Sequence, residues 1–476
     1  MTSKQKQLGV WKRYRLVRYA TYLIAALIAV ALLIVVINVP DERLDPKAAA
    51  ALHEVPSTLA VDENAEFAMY GTGVAKGQDP HEFGVRYVAL NNQWMRAMDE
   101  GRQVNQDELQ TMEQQKEALP WIGNARDLCG KSRTDCLRDY VRHRQQIEKL
   151  VRDNRLRLAR YHALYRYQGF SDTMLHRIVA TYPDMNGAEH ETVLGQIALQ
   201  AVSRNPDGAL RNLVADTQFW RRVLAGSATV LTKSVAAGLL ERNYALASQI
   251  AALDKGRASL ASRIAPMTAP LTPEERDWTA VINAEYQWQA FLFSQLVRRS
   301  SEDVSGEGSV GPLDRLATVL FFKPHASINR AYHYAALMTT MNAVPGDELI
   351  NKVATLNKDL VNVLDFPRWD MIYDPLGKAV VAIAAQPPNA VARYIVRTDN
   401  LDGAVRLLRL QIEIYQKRIP LKDVDAFLVD MPVDLYQPYL RQPMNWDPDK
   451  KELWFEGIKP YGNGPLTPDL HVGVRL

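Results

Sequence analysis

The chain has 476 residues, a formal net charge of +3 at pH 7 and only two cysteines. Hydrophobic residues make up 47% of the sequence and charged residues 23%, which is typical of a folded protein and excludes a disordered one. A net charge this small gives no electrostatic reason to expect a nucleic-acid partner.

The stretch from residue 20 to residue 39 is the strongest signal in the chain. It carries no charge, and at a helical rise of about 1.5 Å per residue it spans roughly 30 Å, the thickness of a hydrocarbon core. The tail before it, residues 1–19, holds six Lys or Arg and no acidic residue, whereas the charges after it nearly balance. The positive-inside rule therefore predicts a cytoplasmic N-terminus and a C-terminal domain outside the cytoplasm.

A cleaved signal peptide is the competing interpretation of this stretch. It requires a shorter apolar core with small residues at a nearby cleavage site. Here the apolar core ends in Asn38-Val39-Pro40, and the first run of small residues, 48–51, comes about ten residues too late. We therefore predict a retained, single-pass transmembrane helix in the bacterial inner membrane, with the C-terminal domain in the periplasm.

Cys129 and Cys136 are separated by a short segment rich in turn residues. In an oxidising periplasm, a local disulfide is the better interpretation of such a pair. A redox-active pair usually has two residues between its cysteines, and two cysteines alone do not make a metal site. The sequence predicts a structural Cys129–Cys136 bond.

Composition and periodicity divide the rest of the chain into three segments. Residues 40–81 are predicted to be a tether, because prolines and glycines interrupt them. Residues 82–420 show a succession of amphipathic helical patterns without a fixed period. We predict a mainly α periplasmic domain there, an irregular bundle or a solenoid-like array, followed by a proline-rich tail over 421–476.

The most regular pattern runs from Leu137 to Gln168, where the seam residues recur in steps of three and four, as in one long helix. This helix is also basic. A charge run of this kind is usually a solvated face, which is the preferred interpretation. The alternative is contact with an anionic partner, such as lipid headgroups or a cell-wall polymer. The candidate contacts are Arg138, Arg142, Arg144, Lys149, Arg152, Arg155, Arg157 and Arg160.

Two further basic features have both a structural and a functional interpretation. Lys233 lies in an alanine-rich helical pattern, where we expect its stem to pack and its ammonium to reach water. Four arginines form a second group, for which solvated helix faces are favoured over an anion pocket. They are Arg393, Arg397, Arg406 and Arg409, which we place on neighbouring helices.

The tail contains a predicted hairpin of two antiparallel strands from Met444 to Glu456, turning at Pro448-Asp449. A lone hairpin is marginally stable in water, so it must pack on something else. Trp446 and Trp454 are the predicted anchors to the helical body, because large aromatic rings bury the most area per residue.

Two segments carry a resemblance to known sequences. The tail segment MPVDLYQPYLRQPMNWDPDKKELWFEG, residues 431–457, resembles the tail of a group of uncharacterised, membrane-anchored proteobacterial proteins. The segment Tyr373-Asp-Pro-Leu-Gly-Lys378 is similar to a motif of the same group. The resemblance implies a cellular compartment rather than an activity.

The sequence contains no motif for a specific chemistry. Its nine histidines are scattered, and they form neither a His-Glu-x-x-His motif nor a set with cysteine at ligand spacing. We therefore predict no metal, no cofactor and no catalytic residue. A Ser-His-Asp set or a pair of catalytic carboxylates stays open, because their members come from distant parts of a sequence.

Three functions remain after these exclusions. The first is a non-enzymatic scaffold or partner-binding protein of the bacterial envelope, anchored in the inner membrane and bound to an envelope protein. The second is a periplasmic enzyme that acts on cell-wall glycan or peptide. The third is a binder of an anionic envelope polymer through the basic helix 138–166.

Overall fold

A computed structural model describes most of the chain and shows a mainly helical protein with a small antiparallel sheet near its C-terminus. The described residues are 3–53, 57–102, 106–126, 128–129, 135–175, 187–203, 206–253, 263–301, 311–342, 344–364, 370–462 and 466–476.

The α-helices within these ranges begin and end as follows: α1 (Ser3–Ile37), α2 (Pro46–Ala51), α3 (Ala65–Tyr70), α4 (Pro80–Asp99), α5 (Asp107–Lys116), α6 (Cys136–Arg142), α7 (Arg144–Asp153), α8 (Arg155–Ala163), α9 (Gly187–Val202), α10 (Pro206–Gly226), α11 (Val230–Leu253), α12 (Pro273–Arg276), α13 (Thr279–Ser301), α14 (Pro312–Phe321), α15 (Pro324–Thr339), α16 (Gly346–Leu364), α17 (Pro375–Ala384), α18 (Pro388–Lys417) and α19 (Val424–Val429).

The chain divides into two compact units, and both are discontinuous in sequence. The first unit comprises residues 1–52, 289–334 and 359–385, and the second comprises residues 53–288, 335–358 and 386–476. The predicted split into one helical domain over 82–420 and a separate tail does not match this division, because the tail belongs to the second unit.

In the first unit, α1 contains the apolar stretch Val17–Ile37. These 21 residues have a mean hydropathy of 2.9, and none of them is buried inside the protein. By length and composition, this stretch could cross a membrane, and it is the one helix in the described ranges of which this is true. It overlaps the predicted span and ends at Ile37.

In the second unit, the larger hydrophobic cluster joins α6–α11 to α18 around side chains such as Trp220 and Tyr161, which are wholly buried. A smaller cluster lies among α3, α4 and α5, with Tyr70 and Tyr87 at its centre. Aromatic rings of this size contribute most of the apolar area that a helical core buries.

The predicted tether over 40–81 is wrong for much of its length. It contains α3, in which every residue is buried, and Asn64 caps this helix by accepting a hydrogen bond from the Glu66 N–H at 3.1 Å. Gly71 allows the chain to pack closely against Pro80, because a Cβ at this position would overlap the backbone of Pro80. The glycines and prolines that suggested a tether are thus part of a packed segment.

The predicted single helix over 137–168 is also wrong, since α6, α7 and α8 follow one another with breaks at His143 and Asn154. The break at Asn154 has a clear cause. Its side chain donates a hydrogen bond to the Ile122 carbonyl and accepts one from the Ile122 N–H, both at 2.8 Å. A side chain that pairs with another segment in this way competes with the regular helix.

The predicted hairpin is confirmed, and a third strand completes the sheet. The strands are β1 (Asn445–Asp447), β2 (Glu452–Ile458) and β3 (Pro468–Arg475), all antiparallel in the order β1-β2-β3. The turn between β1 and β2 is closed by Asp447, whose Oδ1 accepts a hydrogen bond from the Lys450 N–H at 2.9 Å. Strand β3 extends a hairpin that would be marginal alone.

Candidate functional site

The C-terminal end of α1 is joined to the first unit through Asn38. This side chain is wholly buried. Its Nδ2 donates to the carbonyls of Ile34, in α1, and Ile372, at 2.8 and 2.6 Å. Its Oδ1 accepts a hydrogen bond from the Asp374 N–H at 2.8 Å. One amide side chain therefore links the last turn of the apolar helix to the turn over residues 372–374.

A second set of hydrogen bonds lies just after Asn38. Asp41 accepts hydrogen bonds from the N–H groups of His325 and Ala326 at 3.0 and 3.2 Å, so it caps the start of α15. Unpaired N–H groups at a helix N-terminus favour a negative charge of this kind. Two residues further on, the Arg43 carbonyl accepts a hydrogen bond from Asn329 Nδ2 at 2.9 Å.

Asp374 is the centre of this arrangement. Its backbone is left-handed, with a φ of 50°, and its carboxylate is wholly buried. The carboxylate accepts hydrogen bonds from the Lys323 N–H at 2.7 Å and from the Ser327 hydroxyl at 3.3 Å, and it forms an ion pair with Arg330. Burial raises the pKa of Asp374, and the bonds from Lys323, Arg330 and Ser327 oppose this increase. We call Asn38, Asp41, 323–330 and 372–374 together the α1 joint.

The motif Tyr373-Asp-Pro-Leu-Gly-Lys378 now has a structural explanation. Pro375 occupies the first position of α17, which a helix tolerates because no N–H is needed there. Gly377 leaves space for the joint, because a Cβ at this position would overlap the Asp374 carboxylate and the Ser327 hydroxyl. Sequence reasoning noted the motif but did not single out Asn38 or Asp374. The available signal was a polar residue at the end of an unbroken apolar stretch.

The predicted disulfide is present in the structure. Cys129 and Cys136 are bonded, with their Cα atoms 4.8 Å apart, a separation that suits a disulfide. Residues 130–134, which connect them, lie outside the described residues. The bond lies at the start of α6, whose first residue is Cys136.

Two of the eight basic candidates for an anionic surface point into the protein instead. Arg157 is buried, and its guanidinium donates to the Glu189 carboxylate at 2.7 Å. Arg160 is also buried and donates to several backbone carbonyls, among them that of Ala75 at 2.9 Å. Because both guanidinium groups serve internal contacts, neither is placed to contact an external polymer.

The other six basic candidates are exposed, and four of them pair with a nearby acid. Exposed pairs of this kind contribute little to stability, but they reduce the net charge of the surface. The pairs are Arg138–Asp135, Arg142–Asp139, Arg144–Glu148 and Lys149–Asp153, while Arg152 and Arg155 complete the six.

The four arginines of the second group all lie on one helix, α18, and they bind the tail. Arg393 donates to the carbonyls of Lys459 and Tyr461, and Arg397 donates to that of Pro460. Further along the same helix, Arg406 binds the Tyr436 carbonyl at 2.7 Å and Arg409 pairs with Asp434 at 3.5 Å. These four arginines therefore make contacts within the protein and do not form the predicted solvated face.

Neither of the predicted tail anchors is fully buried. Trp446 pairs with Leu453 and shares its face of the hairpin, whereas Trp454 lies on the opposite face, where its ring contacts His471 with centroids 4.9 Å apart. Leu453 and Phe455 are wholly buried. Neighbouring residues of a strand point to opposite faces. Phe455 packs so closely on α18 that a Cβ at Gly403 would overlap its ring.

Lys233 is buried, which contradicts the expectation that its ammonium reaches water. Its Nζ donates to the Leu224 carbonyl at 2.8 Å, near the C-terminal end of α10, and lies 5.6 Å from the Trp278 ring centroid. Burial lowers the pKa of Lys233 to about 8, although Asp277 and Glu275 oppose the decrease. The ammonium thus satisfies one of the carbonyls that a helix end leaves unpaired.

A polar network crosses the core of the second unit. Asp216 accepts hydrogen bonds from the Tyr161 hydroxyl at 2.6 Å and from Asn243 Nδ2 at 2.7 Å, and His190 lies 3.3 Å away. Burial raises the pKa of Asp216, but His190 and the hydrogen bonds outweigh it, so the pKa falls below its usual value. All four side chains are buried, which fits a role in specifying the core rather than in contacting a substrate.

One carboxyl of the second unit has a pKa near neutrality. Burial raises the pKa of Asp399 to about 7, and the charge of nearby Asp402 adds to this increase. Asp402 itself is held by ion pairs with Arg276, at 3.1 Å, and Arg406, at 2.5 Å. A carboxyl group whose pKa lies near neutrality can act as a general acid or base.

Within the described ranges, no group of three or more His, Cys, Asp or Glu side chains is arranged to hold a metal ion. The chain matches no family model, no curated protein and no solved structure.

Proposed function

We propose that this chain is a single-pass inner-membrane protein of the bacterial envelope. In this proposal the apolar stretch of α1 spans the membrane, the basic tail over 1–19 is cytoplasmic, and the second unit and the part of the first unit that follows α1 are periplasmic. The protein acts as a helical scaffold that binds an envelope protein near the membrane surface. The α1 joint is the observation that carries the proposal.

The joint supports a positioning role for a physical reason. A flexible linker lets a domain move freely above a membrane, because each linker residue retains its conformational freedom. Here Asn38, which directly follows Ile37, is already buried, and its side chain makes three hydrogen bonds. Asp41 and Arg43 continue the connection without a break. The first unit is therefore attached directly to the end of the apolar helix.

Two further observations support the compartment. The disulfide between Cys129 and Cys136 suits an oxidising environment. The six basic residues of the tail over 1–19 suit a cytoplasmic side. The same tail gives no reason to expect translocation of the N-terminus.

Photo-crosslinking in the native membrane tests the scaffold proposal. Val429 and Val433 are exposed apolar side chains of the second unit, 63% and 65% exposed, and a crosslinking residue at either position reports on a bound partner. We expect a discrete adduct with an envelope protein, and no adduct from a probe at buried Val424, the matched control. Failure to form an adduct from any exposed position of the second unit would contradict the proposal.

A periplasmic enzyme acting on cell-wall glycan or peptide is the second candidate, and the raised pKa of Asp399 favours it. In this case Asp399 acts as the general acid. The purified protein should then release soluble fragments from isolated cell wall, and Asp399→Asn should abolish the release. If the wild-type protein releases none, the enzymatic candidate is rejected.

A further inference from the structure

Helix α17 exposes a face made only of apolar residues. Leu376, Ala379, Ala382 and Ile383 are its exposed residues, and Ile383 is 84% exposed. The one charged residue of the helix, Lys378, is buried and pairs with Asp370 at 3.2 Å. A helix that faces water normally exposes its charged residues and buries its apolar ones, and α17 does the opposite.

Helix α14 adds to this apolar surface. The two helices pack together within the first unit, and Leu316 and Val319 of α14 are 56% and 53% exposed. Ile372, in the turn that precedes α17, is also exposed. We call Leu316, Val319, Ile372, Leu376 and Ile383 the apolar patch. Groups of exposed apolar residues on a protein surface mark interaction sites.

The α1 joint determines the level at which this patch lies. The Ile372 carbonyl accepts a hydrogen bond from Asn38, the residue that directly follows the apolar stretch ending at Ile37. Ile372 is therefore at the height where the chain leaves the hydrocarbon, if α1 spans a membrane. Helix α17 begins three residues later, at Pro375. Through Ile372 the patch thus adjoins the end of the apolar stretch of α1.

We propose that the apolar patch inserts into the outer leaflet of the same membrane, with α17 lying in the interface. This inference rests on the proposed function, because it requires α1 to span the bilayer. Apolar area alone supplies the attraction, since the exposed face of α17 carries no Lys or Arg to bind anionic headgroups. Insertion would hold the first unit against the membrane at a second place besides α1.

Depth-dependent fluorescence quenching tests this proposal on the full-length chain. Both native cysteines are bonded to each other, so a fluorophore attaches selectively to a cysteine introduced by Ile383→Cys. The protein is placed in phosphatidylcholine vesicles that contain a lipid with a quencher on its acyl chain. Val429→Cys, also strongly exposed but in the second unit, is the matched control. We expect severalfold stronger quenching at position 383 than at position 429, unchanged by salt.

A third label distinguishes failure of the insertion proposal from failure of the proposed function on which it rests. Val30→Cys lies in the middle of the apolar stretch of α1 and should be quenched if α1 spans the membrane. Quenching at position 30 together with a signal at position 383 equal to that at 429 would overturn the insertion proposal alone. Absence of quenching at position 30 would overturn the proposed function. A signal at position 383 that depends on protein concentration would show a second copy on the patch and contradict lipid insertion.

Discussion

At the scale of single residues, buried polar side chains determine how the segments of this chain connect. Asn38 and Asp374 are both wholly buried, and together they bind two helices and a turn. A buried polar group is costly unless its hydrogen bonds are made. Asn38 bonds to residues 372 and 374, more than 330 positions away along the chain, and Asp374 bonds to residues 323, 327 and 330, which are 44 to 51 positions away, so each set of contacts specifies one tertiary arrangement.

Substitution of Asp374 should reveal this dependence. Asp374→Ala removes the acceptor for the Lys323 N–H and the partner of Arg330, and we expect it to destabilise the first unit by about 3 kcal/mol. Asp374→Asn keeps an acceptor oxygen and tolerates the left-handed backbone, so its loss should be smaller. Hydrogen exchange of the amides at 323, 325 and 326 measures the effect.

The control for these variants is Asp434→Ala, which removes an exposed carboxylate of the second unit. It should leave exchange at the joint unchanged. Equal protection in the wild-type protein and in Asp374→Ala would show that the joint does not depend on this carboxylate.

Lys233 gives a pH-dependent prediction. Its pKa falls from 10.5 to about 8 on folding, so the unfolded chain binds the proton more tightly. Stability from this group is therefore fully present above pH 10.5 and is lost as the pH falls through 8. Because one pKa unit corresponds to about 1.4 kcal/mol, the change amounts to about 3 kcal/mol.

Denaturant unfolding of the wild-type protein and of Lys233→Met, compared at neutral and alkaline pH, measures this change. The wild-type protein should gain stability relative to the variant as the pH rises. A difference that stays constant across this range would mean that the Lys233 ammonium is not desolvated in the folded state.

At the scale of elements, short local patterns predicted more than long ones did. The hairpin turn and the bonded cysteine pair were both visible in a few adjacent residues. The seam over 137–168 was not a single helix, because Asn154 pairs with Ile122, a contact made by tertiary structure. Periodicity describes which residues face the core and not whether the helix axis continues.

The α1 joint shows the same limit for the candidate site. The apolar stretch was predicted from its composition, but the groups that receive it lie at 323–330 and 372–374. Nothing in the sequence near Asn38 indicates its hydrogen bond to Ile372. Likewise, the sequence does not show which face of β2 packs on α18. Trp454 was therefore the predicted anchor, although Phe455 is the buried residue.

Two neighbouring residues of β2 test the way the sheet packs. Phe455→Ala should destabilise the second unit by about 3–5 kcal/mol, because it removes a wholly buried ring that packs on α18. Trp454→Ala removes a larger ring from the opposite, partly exposed face and should cost clearly less. Thermal unfolding of the full-length variants measures both. A larger loss for Trp454→Ala would mean that the sheet docks through its other face.

At the scale of the whole molecule, different parts of the chain have separate tasks. In the proposed arrangement α1 anchors the protein, the α1 joint connects the anchor to the first unit, and the second unit offers the larger helical surface. The arginines of α18 and the buried face of β2 hold the tail to the second unit. This assignment depends above all on which side of a membrane the two units occupy.

Reporter fusions in living cells measure that side most directly. A reporter active only in the periplasm is fused after Leu476, and the same reporter is fused before Met1 as the matched control. We expect activity for the C-terminal fusion and none for the N-terminal fusion, with the reverse result for a reporter active only in the cytoplasm. A cytoplasmic C-terminus would contradict the proposed orientation and the function built on it.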